Sequence, residues 1–438
     1  MAGLPRYTVL DLKLERLGPE ASRALQSERL AAIAAYVYHN TDFWRSKFDA
    51  AGLAPGDIGG LEDLAKIPFC TKDELLRDQA EHPPFGSYLG SDRSHWVKFM
   101  TTSGTTGRPL RRVFSARDWD QVLDRFQRNS PIGPGDVVVM LGPVDGMMGP
   151  TAGAEGLARC GALVVHAGRY DSRTKVDLIR DLRPTVVNGS ASYLLHLAGT
   201  AQSMGVDLAG LGIMAVTCVG EPGAGIPATR ARLEESWGAF VNDGYGMTEI
   251  FPLGGACPFS ATVHIPDDLV ITEIVDPETA APVAAGEPGE VVLTNIVGDT
   301  QPLLRYRTRD IARLTTDGPC VCGFTGTRFA HSIEGRVDDM IWYRGANIYP
   351  SAIEAALRGL PELGSEYRVV IDGPAASPVL TVQVETATET PADDLAERVA
   401  SALAVAVGVT ARVEPLAPGA LPRTDDSTKT RRVVDSRS

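Results

Sequence analysis

Thr101-Thr-Ser-Gly-Thr-Thr-Gly-Arg-Pro109 gathers groups suited to holding phosphate. Gly104 and Gly107 let successive backbone N–H groups turn toward one concavity, and the hydroxyls of Thr102, Ser103, Thr105 and Thr106 can donate to phosphate oxygens. The Gly-Lys-Ser/Thr ending of nucleotide hydrolases is missing. The plain alternative is a flexible Ser/Thr/Gly hairpin loop. A second cluster of reactive types is Cys257-x₆-His264 with Cys320-Val-Cys322, which together offer three thiolates and one imidazole. That set suits closed, tetrahedral, structural zinc; the alternative is small buried cysteines and an incidental histidine. Cys70, Cys160 and Cys218 stand alone in apolar surroundings and read as core residues.

These groups need rigid elements behind them. The apolar runs WVKFM and LRRVF predict strands on both sides of the hydroxyl-rich loop, with a helix beginning at a capping box over Ser115–Asp118. Leu25, Leu30, Ile33, Ala34 and Val37 mark the apolar face of a helix over 20–50. From Gly135 the texture alternates: short apolar runs at 137–141, 162–166, 185–188 and 213–220, with helical candidates near 172–182, 190–204 and 227–237. Helices between buried strands predict an α/β fold with a mostly parallel, helix-covered sheet. Runs at 269–276 and 290–297 predict a β-rich subdomain. Beyond Gly335 the spacing predicts a small α+β unit: helix 350–359, strands 367–372 and 379–385, helix 392–406, strand 411–414. The expected division is therefore a large domain over 1–334 and a small one over 335–438.

The bulk properties narrow the class. A 438-residue chain exceeds one compact core. A net charge of −13 argues against nucleic-acid or membrane-surface partners, so any polyanionic ligand must be held by local devices. The N-terminus mixes charges with apolar residues and offers no signal-peptide core, and six cysteines are too few for a disulfide scaffold. A cytoplasmic location is expected, and a homodimer stays open.

In order along the chain, further motifs turn these fragments into a resemblance. Ser-Gly-Thr-Thr-Gly-x-Pro resembles the phosphate loop of the adenylate-forming superfamily of acyl- and aryl-CoA ligases, luciferases and adenylation domains. Gly220-Glu221-Pro222 looks like its adenine-contacting loop, and Tyr245-Gly-Met-Thr-Glu249 like its Y-G-x-T-E motif. Arg305-Tyr-Arg-Thr-Arg-Asp310 resembles the segment whose aspartate grips the ribose diol. Gly335-Arg-Val-Asp-Asp-Met-Ile-Trp-Tyr-Arg-Gly-Ala-Asn-Ile-Tyr-Pro350 is similar to the hinge and the opening of the mobile C-terminal domain. Lys429 occupies the place of the family's C-terminal catalytic lysine. Taken together, these residues look like the phenylacetate–CoA ligase branch.

The resemblance implies activation of a carboxylic acid by ATP with Mg²⁺, giving acyl-AMP and pyrophosphate, then transfer to coenzyme A. It assigns Tyr245 to the adenine, Thr248 to the α-phosphate, Glu249 to Mg²⁺, Asp310 and Arg336 to the ribose or phosphate, and Lys429 to the transition-state charge. It makes Asp338 the hinge and sets Gly345 beside a thiol tunnel. Where many members carry lysine this chain has Leu110, so Arg108, Arg111 or Arg112 is expected to substitute in part. The acid is expected to be aromatic, in a pocket walled by residues 142–150, 188–193 and 217–219, with Met147, Met148, Ser190 and Gly244 as candidates. A carrier-protein phosphopantetheine arm or an amine would use the same first half-reaction, and a non-catalytic nucleotide-binding descendant is the reading from another class.

Overall fold

The computed structural model describes residues 14–102, 108–129, 131–144, 146–260, 262–343, 346–374, 378–389, 392–421 and 432–437. Helices α1 (Pro19–Asn40) and α2 (Asp42–Ala50) replace the single helix expected over 20–50. The break is Thr41, whose hydroxyl donates to Val37 O at 2.7 Å and accepts from Trp44 N at 3.4 Å. One side chain thus ends α1 and caps α2. The apolar face runs on through the break, with Leu30, Val37, Trp44 and Phe48 all buried, so periodicity alone does not reveal it. Helix α3 (Lys72–Glu81) opens on a full capping box between Thr71 and Glu74.

Strands β1 (Trp96–Thr101) and β2 (Arg111–Ser115) pair antiparallel on either side of the hydroxyl-rich loop, as expected. Helix α4 (Ala116–Asn129) follows, but its predicted capping box is only half formed. Ser115 Oγ accepts from Asp118 N at 3.1 Å, whereas the Asp118 carboxylate turns away to the N–H groups of Asp299 and Thr300, at 2.9 and 3.1 Å. Those two donors lie in a connection that no ladder serves, and the carboxylate satisfies both.

The α/β alternation then runs β3 (Val137–Met140), α5 (Met148–Arg159), β4 (Leu163–His166), α6 (Ser172–Leu182), β5 (Val186–Gly189), α7 (Ala191–Ser203), β6 (Ala215–Cys218), α8 (Pro227–Trp237) and β7 (Phe240–Met247). The order β4-β3-β5-β6-β7 is parallel throughout. Side chains alternate between its faces as a pleat requires. Val139, Val187, Val216 and Val241 pack under α6, α7 and α8 residues such as Val176, Leu194 and Leu233. Val138, Met140, Val186 and Ala215 pack on the other face with Ala154 of α5. Helix α5 was not foreseen: residues 142–150 were expected only to wall an acyl pocket, yet Met148 opens a helix rich in Gly and Ala. Its Gly156 lies so close to α4 that a Cβ there would sit 2.4 Å from the Phe126 ring.

Strands β8 (Phe251–Ala256) and β9 (Val263–His264) continue the sheet antiparallel beyond β7. Next come β10 (Val270–Val275), β11 (Gly289–Asn295), β12 (Tyr306–Ala312), β13 (Arg328–Phe329) and β14 (Gly335–Arg336). β13 closes the large sheet beside β9, and β10-β11-β12-β14 form a separate antiparallel sheet. The chain leaves that sheet after Arg336.

The C-terminal domain comprises β15 (Ile341–Tyr343), β16 (Ala346–Ile348), α9 (Pro350–Arg358), β17 (Leu363–Asp372), β18 (Val379–Thr386), α10 (Leu395–Val407), β19 (Arg412–Leu416) and β20 (Val433–Asp435). It has its own core, centred on Ile353, Val369, Val382, Val399 and Leu403. Among the described residues, hydrogen bonds to the large domain include Ser351 Oγ donating to Glu334 O, and Arg232 Nη2 to Leu363 O at 3.4 Å, and α9 packs against α8. Among the described residues no helix is long and apolar enough to cross a membrane.

Candidate active site

Parallel strands in an open sheet present their C-terminal ends to ligands. Here those ends carry Ser190 after β5, Gly220 and Glu221 after β6, and Thr248 and Glu249 after β7. Gly220 has φ +90°, a turn that a side chain would strain. Glu221 Oε1 accepts from Ser192 N at 2.6 Å and so ties two of these loops together. Pro222 opens the short helical turn that follows. β7 also brings in Asp243, which the motif search did not single out. It is buried, and desolvation pushes its pKa up to about 7. The sequence offers no signal for it beyond a carboxylate two residues ahead of the Tyr245-Gly-Met-Thr-Glu249 motif.

Asp310 is presented by a distortion in β12. Glu290 pairs with Ile311 and Val292 with Arg307, so Val291 alone faces Thr308, Arg309 and Asp310. Arg309 takes a left-handed φ of +67°, a strain of about 1–3 kcal/mol. Three hydrogen bonds offset it at about 1 kcal/mol each. Thr308 Oγ1 donates to Val291 O at 2.8 Å, Asp310 N to Thr308 Oγ1 at 3.1 Å, and Arg309 N to Glu290 Oε1 at 3.1 Å. The RTRD segment is therefore built to make this bulge. Arg305 and Arg307 are absorbed by ion pairs with Glu273 and Glu290.

The bulge brings three expected residues together. Tyr245 Oη donates to Asp310 Oδ2 at 3.0 Å, and Arg336 Nη1 to Asp310 Oδ1 at 2.7 Å. Arg336 stands directly across β12 from Asp310 in the strand register. Its Nε and Nη2 reach the two oxygens of Asp338, each at 3.0 Å. Burial, then the charge of Asp310, holds the Tyr245 pKa well above its ordinary value, so the phenol remains a donor. Burial opposes the charge on Arg336, but Asp310 and Asp338 outweigh it and raise its pKa.

At the neighbouring end, Thr102 closes the mouth of the β1–β2 loop by accepting Leu110 N on Oγ1 at 3.0 Å. Thr248 is half-buried, and Glu249 is buried with Oε1 3.1 Å from Lys72 Nζ. Of the cations expected near the loop, Arg108 and Arg111 are exposed. Arg112 turns into the core, lining a cavity of about 30 Å³ with Asp118, Gln121 and Gln301. Ser103, Gly104, Thr105, Thr106, Gly107, Gly345 and Lys429 lie outside the described residues.

The acyl-pocket candidates divide. Met148 is 2% exposed and packs into the large core, whereas Met147 is half-buried. Ser190 caps α7, accepting Tyr193 N at 3.3 Å. At Gly244 a Cβ would meet Val219 Cγ1 at 3.0 Å, so the strand and the 217–219 segment lie against each other.

Cys257, His264, Cys320 and Cys322 converge, their ligand atoms all within 4.8 Å of one another. β9 pairs with β13 and draws the two halves of the set together. Cys257 and Cys320 sulfurs are 3.6 Å apart, too far for a disulfide and near the separation of about 3.8 Å that tetrahedral zinc imposes on two thiolates. His264 stacks on Phe324 at 4.2 Å and 7°, with its buried Nε2 left without a partner.

Comparison with known proteins agrees with this layout. Residues 70–296 match the AMP-binding enzyme family, and residues 345–437 match the AMP-binding enzyme C-terminal domain. The phenylacetate-coenzyme A ligase of Thermus thermophilus is 35% identical over 97% of this chain and 99% of its own length. That of Escherichia coli is 30% identical, covering 97% of each. A 2-hydroxyisobutyryl-CoA ligase structure in its postadenylation state superposes with a TM-score of 0.91 at 31% identity, covering 97% of this chain and 92% of that one. The same ligase in its thioesterification state gives 0.73 at 31% identity, covering 99% and 93%. The arrangement of domains here therefore matches the former state more closely. With half the chain and more matched in order, and the C-terminal unit matched separately, the chain belongs to the AMP-binding, adenylate-forming enzyme family.

Proposed function

We propose that the protein activates an aromatic carboxylic acid with ATP and passes the acyl group to coenzyme A. A carboxylate oxygen attacks the α-phosphorus, the bond to the β-phosphate breaks, and pyrophosphate leaves. The coenzyme A thiol then attacks the acyl carbon, AMP departs with the electrons of the acyl–oxygen bond, and the thiol proton passes to solvent. The observation that supports this reading is Asp310, held between Tyr245 and Arg336 beside the strand ends, where its carboxylate would accept from a ribose diol. Mg²⁺, where bound, would neutralise charge on the phosphates, and Glu249 is the residue that would hold it. Lys429 would supply the cation that meets the transition-state charge. The division expected at 334/335 shifts to just after Arg336, because Gly335 and Arg336 pair with β12 of the large domain, and Asp338 is the proposed hinge between that sheet and Ile341 of the C-terminal core. The aromatic acid is favoured by relatives 35% and 30% identical that are phenylacetate-coenzyme A ligases.

The cysteine set fits structural zinc in its donor types, in its sulfur spacing and in the orphaned His264 nitrogen. Bound there, the metal would staple the strand after the β7 turn to the 320–322 loop, far better suited to a reducing cytoplasm than a disulfide would be.

Pyrophosphate exchange into ATP, run across phenylacetate, benzoates and short hydroxy acids, tests the activity and the acid together. Exchange is expected with an aryl acid; exchange with short aliphatic acids alone would remove the aromatic assignment. Lys429→Ala should cut this exchange roughly a hundredfold or more, while largely sparing thioester formation from supplied acyl-AMP. Equal loss in both steps would contradict its role. Asp310→Ala should lower ATP affinity about tenfold and abolish any preference for ATP over 2′-deoxy-ATP, as binding measurements would show. An unchanged preference would place the ribose elsewhere. Purified protein should hold about one zinc per chain, and Cys320→Ser should lower both metal content and melting temperature. Fully active protein without zinc would dispose of the site.

A further inference from the structure

We propose that Lys72 is the cation for the β- and γ-phosphates of ATP, filling from α3 the place that the phosphate loop leaves empty at Leu110. This rests on the reading of Glu249 as the residue at the metal and phosphate end of the site. A protein of net charge −13 needs a local cation where a triphosphate binds. Leu110 is fully buried, and Arg112 faces the core. Lys72 Nζ, in contrast, stands 3.1 Å from Glu249 Oε1 on a side chain that is 35% exposed. A lysine ammonium has three donors, so one can serve Glu249 and two remain for phosphate oxygens.

The placement is built from both sides. Cys70 N donates to Arg305 O at 3.0 Å, and Arg307 N donates to Cys70 O at 2.9 Å, so the chain is zipped onto the strand that carries Asp310. Thr71 then caps α3 and starts it at Lys72. Lys47 holds Glu74, the partner of that cap, at 2.6 Å. The geometry thus fixes Lys72 to the ribose-binding strand, on the large domain, where it stays when the C-terminal domain moves. Lys429 would act only in one orientation; Lys72 would hold nucleotide or pyrophosphate in both.

The test is nucleotide binding in EDTA by full-length protein, comparing ATP with AMP, which lacks the two distal phosphates. Lys72→Ala should weaken ATP at least tenfold and AMP less than twofold. The KM for pyrophosphate in exchange should rise about tenfold, and thioester formation from supplied acyl-AMP should stay within twofold. Lys72→Arg should recover part of the ATP affinity. Repeating the comparison on a Glu249→Gln background separates the roles, because the ATP-specific loss persists there only if Lys72 meets phosphate itself. Loss that vanishes on that background, equal loss of ATP and AMP, or no loss would each overturn the proposal. Should the alanine variant fold poorly, Lys72→Gln gives the same comparison. Wild-type protein with no exchange would overturn the adenylation reading, a failure visible before any Lys72 variant is made.

Discussion

Asp310 and Arg336 face each other across β12 and β14 at 2.7 Å, and the working parts of both domains are arranged around that pair. It sits at a local bulge, where two extra residues in β12 shift the ladder so that Asp310 pairs with Arg336. Thr308 and Glu290 hold the bulge, and Glu290 is itself fully buried against Arg307. The same strand anchors Cys70, and through it α3 and Lys72. Tyr245 joins from the other sheet. One distorted strand therefore fixes the distance between the ends of the parallel sheet, the antiparallel sheet and the start of the C-terminal domain.

Arg336 is also the last residue of the antiparallel sheet before the chain passes toward the C-terminal core. Its strand partner keeps it in the sheet, while two of its donors grip Asp338, beyond which the chain enters a separate core. An exposed pair of that kind contributes about 0–1 kcal/mol. That is enough to favour the present orientation and too little to prevent another. The interdomain hydrogen bonds of Ser351 and Arg232 are ordinary single contacts, compatible with the proposed reorientation of the small domain.

Much of this was legible in the sequence because short β-branched runs between helical segments leave few other arrangements. The strands at 137–140, 186–189 and 270–275 lie within a residue or two of the expected runs. Ordered motifs brought Tyr245, Asp310 and Arg336 together before any geometry was available. What stayed hidden depends on contacts remote in the chain. Thr41 breaks a helix whose apolar face does not pause. Asp118 gives up its cap for donors some 180 residues away. Met148 reads as a pocket residue until helix α5 turns it into the core. Lys72 is one charge within TKDELLRD, and only the pairing of Cys70 with 305–307 carries it to Glu249. Leu110 signalled that a cation was missing without saying where it had gone.

The central claim is that one bound anhydride meets two surfaces as the chain turns at Asp338. The direct measurement is both half-reaction rates in Asp338→Pro, with Asp338→Ala as control for the lost carboxylate. Proline fixes φ near −65° and removes a backbone donor, whereas alanine leaves the dihedral free. The account predicts that in the proline variant one of pyrophosphate exchange and acyl-CoA formation is nearly lost while the other persists, and that the alanine variant keeps both. Both rates near wild type in Asp338→Pro would contradict it.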